Sequence, residues 1–456
     1  MPGSPPTRDP RALYQERLRK PEEAAAMLRP VDRLAAPIAA GQPATLFRAL
    51  GRRDDWKDLQ ILAGLFIEPY DLLTRPGVRL LSGFFGPVER ILRGGGFAVD
   101  YLVSNFRGQA RALGRMRPRV VAHCVSPMDG EGTFTFGVHA GATYTDFLAA
   151  GRDPDRVLIV EVNPAMPRVS GFPEYGGNRV HVSEVDAILE SDAPLFALPN
   201  LPASPEERAI AAFVEAQVES GATLQFGIGG VPDEIAEALA KSGKGDFGIH
   251  TEMFGNGIMR LHQAGKVVNR KGLHDGYSVG TFALGSAELY RWMDGNPILR
   301  MLPVERSNDP AAIRANRKMM SVNTAMSIDL LGQVVAESIG GRQYSGTGGQ
   351  EDFVMGAQEC PDGKSFLVFT STAEVHGKRV SRIVARHPEG AVVTTPRYHV
   401  HWLVTEHGAV DLRDLSDVER TEAIASLADP EFRPALKEEA RRLTAELRGR
   451  TTLAPT

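Results

Sequence analysis

The stretch Val157-Leu158-Ile159-Val160-Glu161-Val162 decides the fold class of this chain. Neighbouring residues of a strand point to opposite faces, so a strand of these residues carries apolar side chains on both faces. Such a strand is usually buried on both sides within a parallel sheet. The stretch therefore predicts βαβ units, in which helices cover the faces of the sheet.

The residues that precede this stretch have the order that a βαβ unit requires. Val120-Val121-Ala122-His123-Cys124-Val125 is a second apolar run with β-branched residues, and Ser126-Pro127-Met128-Asp129-Gly130 ends it. We expect a helix over about residues 142–150 before the next strand. The polar residues up to about Pro30 hold too few leucines for a core-facing stripe, so they predict a frayed helical arm.

A proline-rich stretch at residues 197–204 predicts the linker between two domains, residues 1–203 and 204–456. The second domain opens with a helix whose N-cap is Ser204, with Pro205 at its first position and Glu207 completing a capping box. Its apolar face holds Ile210, Phe213, Val214 and Val218. Further strands and helices of the same kind are expected at residues 319–328, 333–339 and 392–395. We expect an α/β fold with mainly parallel open sheets in both domains.

A glycine loop, Gly227-Ile228-Gly229-Gly230-Val231-Pro232-Asp233, follows the predicted strand Thr223-Leu224-Gln225-Phe226. Backbone amides at the start of the next helix can hold an anion there. The pattern is G-x-G-G and lacks the dinucleotide spacing, so it does not indicate NAD. A tight turn without a ligand is an equally good interpretation of the loop alone. A second glycine turn stands at Ser345-Gly346-Thr347-Gly348-Gly349.

Glu252 comes directly after the short apolar run Phe247-Gly248-Ile249-His250-Thr251. Open α/β sheets bind ligands at the carboxyl ends of their strands, where a carboxylate can act as a nucleophile. A lone glutamate at a strand end is more often a solvated or capping residue. His250 is close to Glu252 in the sequence, but we expect a packed, hydrogen-bonded histidine there and not a catalytic dyad with Glu252.

Composition excludes several classes of function. The chain has 52 Lys+Arg against 56 Asp+Glu and lacks a basic block with interleaved aromatics, so we do not expect nucleic acid as a partner. The most apolar stretch, residues 59–73, is interrupted by charged residues and proline and is too short to cross a membrane. The absence of a signal-peptide pattern and the presence of only Cys124 and Cys360 predict a cytoplasmic protein without disulfides.

Two other patterns resemble ligand sites. Gly363-Lys364-Ser365 looks like the end of a phosphate-binding loop, but the first glycine of that motif would have to stand at Gln358. His399, His401 and His407 suggest a metal, yet Glu406 is the only nearby carboxylate and no metal-ligand spacing is completed. We therefore expect structural histidines and no bound metal.

Over about residues 120–436 the chain resembles the acetyl-CoA hydrolase/transferase group of family I coenzyme A transferases. The motifs that carry the resemblance are Glu161-Val162-Asn163-Pro164-Ala165-Met166-Pro167, the loop from Leu224 to Pro232, Gly248-Ile249-His250-Thr251-Glu252-Met253, Ser345-Gly346-Thr347-Gly348-Gly349-Gln350-Glu351-Asp352-Phe353, Ser381-Arg382-Ile383-Val384, Val393-Thr394-Thr395-Pro396-Arg397 and Val404-Thr405-Glu406-His407-Gly408. Gly255-Asn256 and Asp414 depart from the family pattern.

The resemblance implies a catalytic role for Glu252, which would form a covalent glutamyl-CoA thioester. It also implies two CoA-transferase-like domains with the active site in the cleft between them, and a homodimer or larger assembly. Coenzyme A would be a substrate, together with a free carboxylate, and no cofactor would be tightly bound. The residues that the resemblance assigns to CoA binding are Gly229, Gly230, Val231, Pro232, Asp233, Ala325, Gly348 and Gly349.

Three functions remain open at this point. The first is transfer of CoA from an acyl-CoA to a carboxylate. The second is hydrolysis of acetyl-CoA or another acyl-CoA by the same glutamate, which differs in whether water reaches the intermediate. The third is CoA binding without catalysis, against which Glu252 argues because binding alone requires no carboxylate there.

Overall fold

The structure, a computed structural model, describes residues 8–199 and 202–449. Within these ranges the chain forms two compact units. The first comprises residues 8–199 and 277–307, and the second comprises residues 202–276 and 308–449. The predicted linker lies where the first unit gives way to the second. The segment Tyr277–Ser307 belongs to the first unit, although the sequence placed it in the second.

The helices follow one another along both units. The α-helices are α1 Pro10–Arg17, α2 Pro21–Ala26, α3 Ala44–Gly51, α4 Pro87–Gly94, α5 Phe106–Met116, α6 Tyr144–Ala150, α7 Pro205–Gln217, α8 Gly230–Lys241, α9 Asn256–Gln263, α10 Ala287–Met293, α11 Val304–Ser307, α12 Pro310–Arg314, α13 Gln350–Glu359, α14 Asp417–Ser426 and α15 Arg433–Leu447. Short 3-10 helices span Ala39–Gly41, Asp71–Thr74, Pro173–Tyr175, Val182–Glu184 and Arg397–His399.

The strands alternate with these helices. They are β1 Val31–Ala35, β2 Asp58–Ala63, β3 Val78–Ser82, β4 Val99–Tyr101, β5 Val120–Val125, β6 Thr133–Thr135, β7 Val157–Val162, β8 Arg179–His181, β9 Ala187–Glu190, β10 Thr223–Phe226, β11 Gly248–Ile249, β12 Met253–Phe254, β13 Ser278–Gly280, β14 Phe282–Ala283, β15 Leu299–Met301, β16 Met319–Thr324, β17 Ser327–Asp329, β18 Val334–Val335, β19 Ser338–Ile339, β20 Arg342–Gln343, β21 Lys364–Val368, β22 Thr372–Val375, β23 Lys378–Ser381, β24 Ile383–Val384, β25 Trp402–Thr405 and β26 Gly408–Asp411.

A parallel sheet forms the centre of the first unit. Its seven strands stand in the order β4-β3-β2-β1-β5-β7-β9, and every neighbouring pair is parallel. β5 pairs with β7 from Val120 opposite Val157 to Val125 opposite Val162, and α6 joins them. Every residue of β5 is buried. The predicted βαβ unit is confirmed, with the helix beginning two residues later than expected.

The N-terminal part of the described chain is more ordered than its sequence indicates. Leu13 of α1 and Leu28, just after α2, are 4% and 2% exposed, and α1 lies against β9. The prediction of a frayed arm is therefore wrong for residues 8–30, because these few leucines are enough for packing against an existing sheet. β1 to β4 were also not predicted, since Asp32 and Arg33 interrupt the apolar pattern of β1.

Two buried carboxylates of the first unit, those of Glu161 and Asp146, have partners. The Glu161 carboxylate of β7 accepts hydrogen bonds from the backbone N–H groups of Thr45 and Leu46, each at 3.1 Å, and so caps the start of α3. Burial raises the pKa of Glu161, and these two hydrogen bonds oppose that change. Asp146 and Arg156, whose side chains are 5% and 6% exposed, form a two-pronged ion pair at 2.7 and 3.0 Å.

The second unit contains a six-stranded sheet in the order β11-β10-β16-β21-β25-β26. All neighbouring pairs are parallel except β25 with β26. A sheet of this kind in each unit agrees with the predicted α/β class. No helix within the described ranges is long and apolar enough to span a membrane.

Local signals in the second unit have mixed outcomes. The capping box of α7 is confirmed, since Ser204 Oγ accepts from the N–H of Glu207 at 3.2 Å and Glu207 accepts from the N–H of Ser204 at 2.8 Å. Phe213 is 37% exposed, however, so its predicted place on the buried face is wrong. Residues 392–393 form no strand and are exposed.

The Asp146–Arg156 pair allows a test of stability. Asp146→Ala should lower the free energy of unfolding by about 3–5 kcal/mol, because it leaves the charge of Arg156 buried without a partner. As the control, Asp58→Ala removes the exposed partner of Arg79 and should cost about 0–1 kcal/mol. Urea denaturation measures both changes. Equal losses in the two variants would contradict this assignment.

Candidate active site

Glu252 lies at the carboxyl edge of the parallel sheet of the second unit. It follows the end of β11 by three residues, and β11 pairs in parallel with β10, whose end leads into the glycine loop. Thr251 stabilises the turn between β11 and β12 in which Glu252 lies, since its hydroxyl donates to the carbonyl of Met253 at 2.9 Å. Parallel pairing thus brings together the glutamate and the loop predicted from the sequence.

Two donors hold the Glu252 carboxylate. Asn308 donates a side-chain N–H to Oε2 at 2.5 Å, and the backbone N–H of Gly349 donates to the same carboxylate. Gly349 is the N-cap of α13, so the carboxylate lies at the positive end of that helix. The arrangement orients one charged group with a side-chain amide, a backbone amide and a helix dipole.

The electrostatic environment of Glu252 is unusual for a glutamate. Burial raises its pKa to about 7, and the nearby Asp352 adds to the rise, while the hydrogen bonds from Asn308 and Gly349 act in the opposite direction. A carboxylate with a pKa in this range is poorly solvated and holds its proton more tightly than usual. Such a group is typical of an active site.

Position 349 requires glycine. A Cβ atom there would lie 1.9 Å from Oε2 of Glu252 and 2.3 Å from Nδ2 of Asn308. Any side chain would therefore displace the carboxylate or its amide donor. The preceding Gly348 has a φ of +57°, in the left-handed region that favours glycine. The turn predicted from Ser345 to Gly349 is thus part of the site around Glu252.

The predicted CoA-binding residues Gly229 to Asp233 form the N-cap and the first turn of α8, which begins at Gly230. A Cβ atom at Gly229 would meet no atom within 4 Å, so this side of the loop is open. Val231 and Pro232 are buried. Asp233 accepts from Arg260 of α9 at 2.6 Å.

Ala325 follows the end of β16 and so lies at the same sheet edge as the glycine loop. It is 2% exposed, and its carbonyl accepts from the guanidinium of Arg382. Gly255 and Asn256, which depart from the family pattern, form the N-cap and first residue of α9. The departure therefore falls at a helix start directly after β12.

The histidines considered for metal binding are separated. His399 contacts Glu351, and His401 accepts from the N–H of Ser365 at 3.3 Å. His407 stands near Glu406 and Asp429, with ligand atoms within 4.8 Å of one another. Glu406 already accepts from Ser371, however, and Asp429 from Arg379. We assign no metal to this cluster.

His250 is fully buried, and its ring lies 6.2 Å from that of Phe353.

Sequence reasoning missed Asn308 and Asp352. Asn308 follows α11 in a stretch without a motif, and its role is visible only from its distance to Glu252. Asp352 stands in the first turn of α13, three residues after Gly349 of the second glycine turn, and this position could have drawn attention to it.

Comparison with known proteins finds relatives that match nearly the whole chain. Residues 285–440 match the family model for the acetyl-CoA hydrolase/transferase C-terminal domain. A succinyl-CoA:cyclohexane-1-carboxylate CoA transferase of Geobacter metallireducens is 38% identical over 94% of this chain and 96% of its own length. A butyryl-CoA:acetate CoA-transferase of Anaerostipes caccae is 34% identical, with 94% and 96% covered.

The fold is similar to that of a solved structure as well. The crystal structure of RipA from Yersinia pestis has a TM-score of 0.87 and 37% identity, and covers 96% of this chain and 99% of its own. More distant relatives carry the name acetyl-CoA hydrolase. With such identity over nearly the whole chain, this protein belongs to the acetyl-CoA hydrolase/transferase family, within the family I coenzyme A transferases.

Proposed function

We propose that this enzyme transfers coenzyme A between an acyl-CoA and a free carboxylic acid, with Glu252 as the nucleophile. The observation that carries the proposal is the Glu252 carboxylate held by Asn308 and Gly349 at the start of α13. The two relatives compared above are named as transferases and match nearly the whole chain. Together these support transfer over simple CoA binding.

The reaction proceeds in two exchanges at one carboxylate. Glu252 attacks the thioester carbonyl of the acyl-CoA, the C–S bond breaks, and an acyl-glutamyl anhydride and a CoA thiolate result. The thiolate attacks the glutamyl carbonyl of the anhydride, which forms the glutamyl-CoA thioester and releases the first carboxylate. The acceptor carboxylate then reverses both steps and leaves as the new acyl-CoA. Each step conserves charge and needs no other reactant.

The donors around Glu252 suit the charge that develops in these steps. When the thiolate attacks the glutamyl carbonyl, the oxygen becomes an oxyanion in the position that Oε2 occupies now. Asn308 already donates to that oxygen, and the N–H of Gly349 donates to the same carboxylate. Prearranged donors of this kind stabilise an oxyanion without reorganisation. The same burial that raises the pKa of Glu252 leaves its anion poorly solvated and therefore reactive.

The CoA site is proposed at Gly229, Gly230, Val231, Pro232 and Asp233, with Ala325, Gly348 and Gly349. The open side of the Gly229 turn, at the start of α8, supports a ligand with oxygen atoms there. Hydrolysis by the same glutamate is the alternative, supported by the more distant relatives named as hydrolases. The two-domain assignment, the homodimer and the cytoplasmic location stay predictions.

Mass spectrometry can detect the covalent intermediate. After incubation with acetyl-CoA and no acceptor, the peptide that contains Glu252 should gain the mass of CoA, and Glu252→Gln should gain none. Glu161→Gln is the matched control, since Glu161 is also a buried glutamate held by backbone N–H groups. Turnover without an adduct in the wild type, or undiminished turnover in Glu252→Gln, would refute the mechanism.

The choice of acceptor separates transfer from hydrolysis. With acetyl-CoA as the donor, transfer requires a carboxylate and forms a new acyl-CoA, which chromatography detects. CoA release at one rate whether or not acceptors are present would instead indicate a hydrolase.

The raised pKa of Glu252 predicts an acid limb in the pH profile. The nucleophile is the anion, so kcat/KM should fall below about pH 7, by tenfold per unit, as the carboxylate takes up a proton. Initial rates with saturating acceptor across this range provide the measurement. An acid limb near the usual pKa of glutamate, about 4.3, would contradict the environment described for Glu252.

Asn308→Ala should move this limb as well as slow the reaction. Its hydrogen bond lowers the pKa of Glu252, so its removal should shift the acid limb to higher pH. Losing one oxyanion donor should reduce kcat by about 100-fold to 1,000-fold. Asn316→Ala serves as the control, because Asn316 is also buried but bonds to backbone carbonyls of Ala312 and Ile313. An unmoved limb in Asn308→Ala would show that Asn308 has no electrostatic role.

A further inference from the structure

One motif of the family pattern, Val393-Thr394-Thr395-Pro396-Arg397, contains two adjacent threonines with buried side chains. Thr394 is 8% exposed and Thr395 is 0% exposed. Backbone hydrogen bonds join the pair to β18. The N–H of Thr394 donates to the carbonyl of Val334 at 2.8 Å, and the N–H of Val334 donates to the carbonyl of Thr395 at 3.1 Å. The backbone of the two threonines is therefore fixed, and their hydroxyls need partners inside the second unit.

Thr394 reaches the segment that precedes Gly349 through the carboxylate of Glu337. Its hydroxyl donates to Oε1 of Glu337 at 3.2 Å. The same carboxylate accepts from Oγ1 of Thr347 at 3.1 and 3.2 Å and from Nε2 of Gln343 at 3.1 Å. Glu337 is 5% exposed, so these hydrogen bonds take the place of its hydration. Thr394 thus helps to hold Thr347, which stands two residues before Gly349.

Thr395 reaches the segment that follows Gly349. Its hydroxyl donates to Oε2 of Glu351 at 3.0 Å and accepts from Nε2 of Gln350 at 3.1 Å. The other carboxylate oxygen of Glu351 contacts Nδ1 of His399, two residues beyond the motif. Gln350 and Glu351 are the first two residues of α13. The start of this helix is therefore joined to the motif by side-chain hydrogen bonds.

The turn between these two sets of hydrogen bonds is rich in glycine, with Gly346, Gly348 and Gly349. Glycine leaves the backbone more conformational freedom than any other residue, so such a turn does not hold a single geometry by itself. Hydrogen bonds on both of its sides restrict it. The N–H of Gly349 therefore keeps its direction toward the Glu252 carboxylate, to which it donates.

We propose that Thr394 and Thr395 are positioning residues, which act through Glu337 and Glu351 to fix the N–H of Gly349 against the carboxylate of Glu252. The inference rests on the proposed function, since a fixed N–H aids catalysis only if an oxyanion forms at Glu252. Each threonine acts through the glycine turn and not on the reacting atoms. The motif around them therefore serves the active site without being part of it.

Thr395→Val is the first test, because it replaces the hydroxyl by a methyl group and changes no charge. It should lower kcat by about 10-fold to 100-fold, since a displacement of about 1 Å can cost on the order of 100-fold. The acid limb of kcat/KM should move to higher pH, because the hydrogen bond from Gly349 lowers the pKa of Glu252. Asp352, which raises that pKa, is unaltered. Initial rates with acetyl-CoA and a carboxylate acceptor across pH measure both effects.

Two matched controls separate positioning from a loss of stability. Thr395→Ser keeps the hydroxyl and should restore both kcat and the acid limb. Thr405 is also 0% exposed, and its hydroxyl donates to the carbonyl of Leu427 at 2.8 Å and accepts from the N–H of His407 at 3.2 Å. Thr405→Val therefore loses one donated and one accepted hydrogen bond, as Thr395→Val does, but should leave the limb in place. A limb that moves in both valine variants, or in neither, would overturn the proposal.

Thr394→Val tests the other side of the turn and keeps the test decisive if Thr395→Val does not fold. It removes the hydroxyl that donates to Glu337, again without a change of charge. The acid limb should move in the same direction as in Thr395→Val, and Thr394→Ser should restore it. An unmoved limb in folded Thr394→Val would overturn the role assigned to Thr394.

A titration of Glu252 that needs no turnover separates this inference from the proposed function. NMR of protein isotope-labelled at the glutamate carboxyl carbons measures its pKa, with Glu252→Gln identifying the signal. A higher pKa in the valine variants of a protein that forms no CoA adduct and transfers no CoA would support the positioning and contradict the function. Transfer of CoA with an unaltered pKa and acid limb in both variants would support the function and contradict the positioning.

Discussion

Parallel strand pairing is the constraint on which the rest of the structure depends. It aligns the carboxyl ends of strands that are far apart in sequence, so the chain segments that follow them meet at one edge of each sheet. In the second unit this edge holds the glycine loop after β10, Glu252 after β11 and Ala325 after β16. Backbone hydrogen bonds fix the strands of the sheet, so the loops that follow these strands are held in place and can form a site.

The carboxylate of Glu252 shows how burial and hydrogen bonding are balanced at this edge. Without donors a buried carboxylate would remain protonated near neutral pH and could not attack a thioester. With many donors it would be ionised but unreactive. Asn308 and Gly349 supply two hydrogen bonds against the effects of burial and of Asp352, which leaves the pKa at about 7. With this pKa, a substantial fraction of the Glu252 side chains is ionised at physiological pH, and that anion is reactive because it is poorly solvated.

Glu161 and Glu252 make a useful comparison, because burial raises the pKa of both. Glu161 lies within the central sheet of the first unit and caps α3 through Thr45 and Leu46, so its contacts are those of a structural residue. Glu252 stands in a turn beyond its strand, beside a second glycine turn. The raised pKa alone therefore does not distinguish the two glutamates, and the position at the sheet edge is what supports Glu252 as the proposed nucleophile.

Local sequence determined the elements whose signals lie within a few residues. The apolar runs of β5 and β7 predict parallel strands, and Ser204 with Glu207 predicts the start of α7, because these signals act through neighbouring residues. Tertiary structure alone decided the rest. β1 forms despite Asp32 and Arg33, since Asp32 pairs with Arg119 of a distant segment at 3.0 Å. Asn308 reaches Glu252 across 56 residues, a contact that no periodicity or motif encodes. Hydrogen bonds between distant segments depend on how the strands are ordered, and that order is a property of the folded sheet.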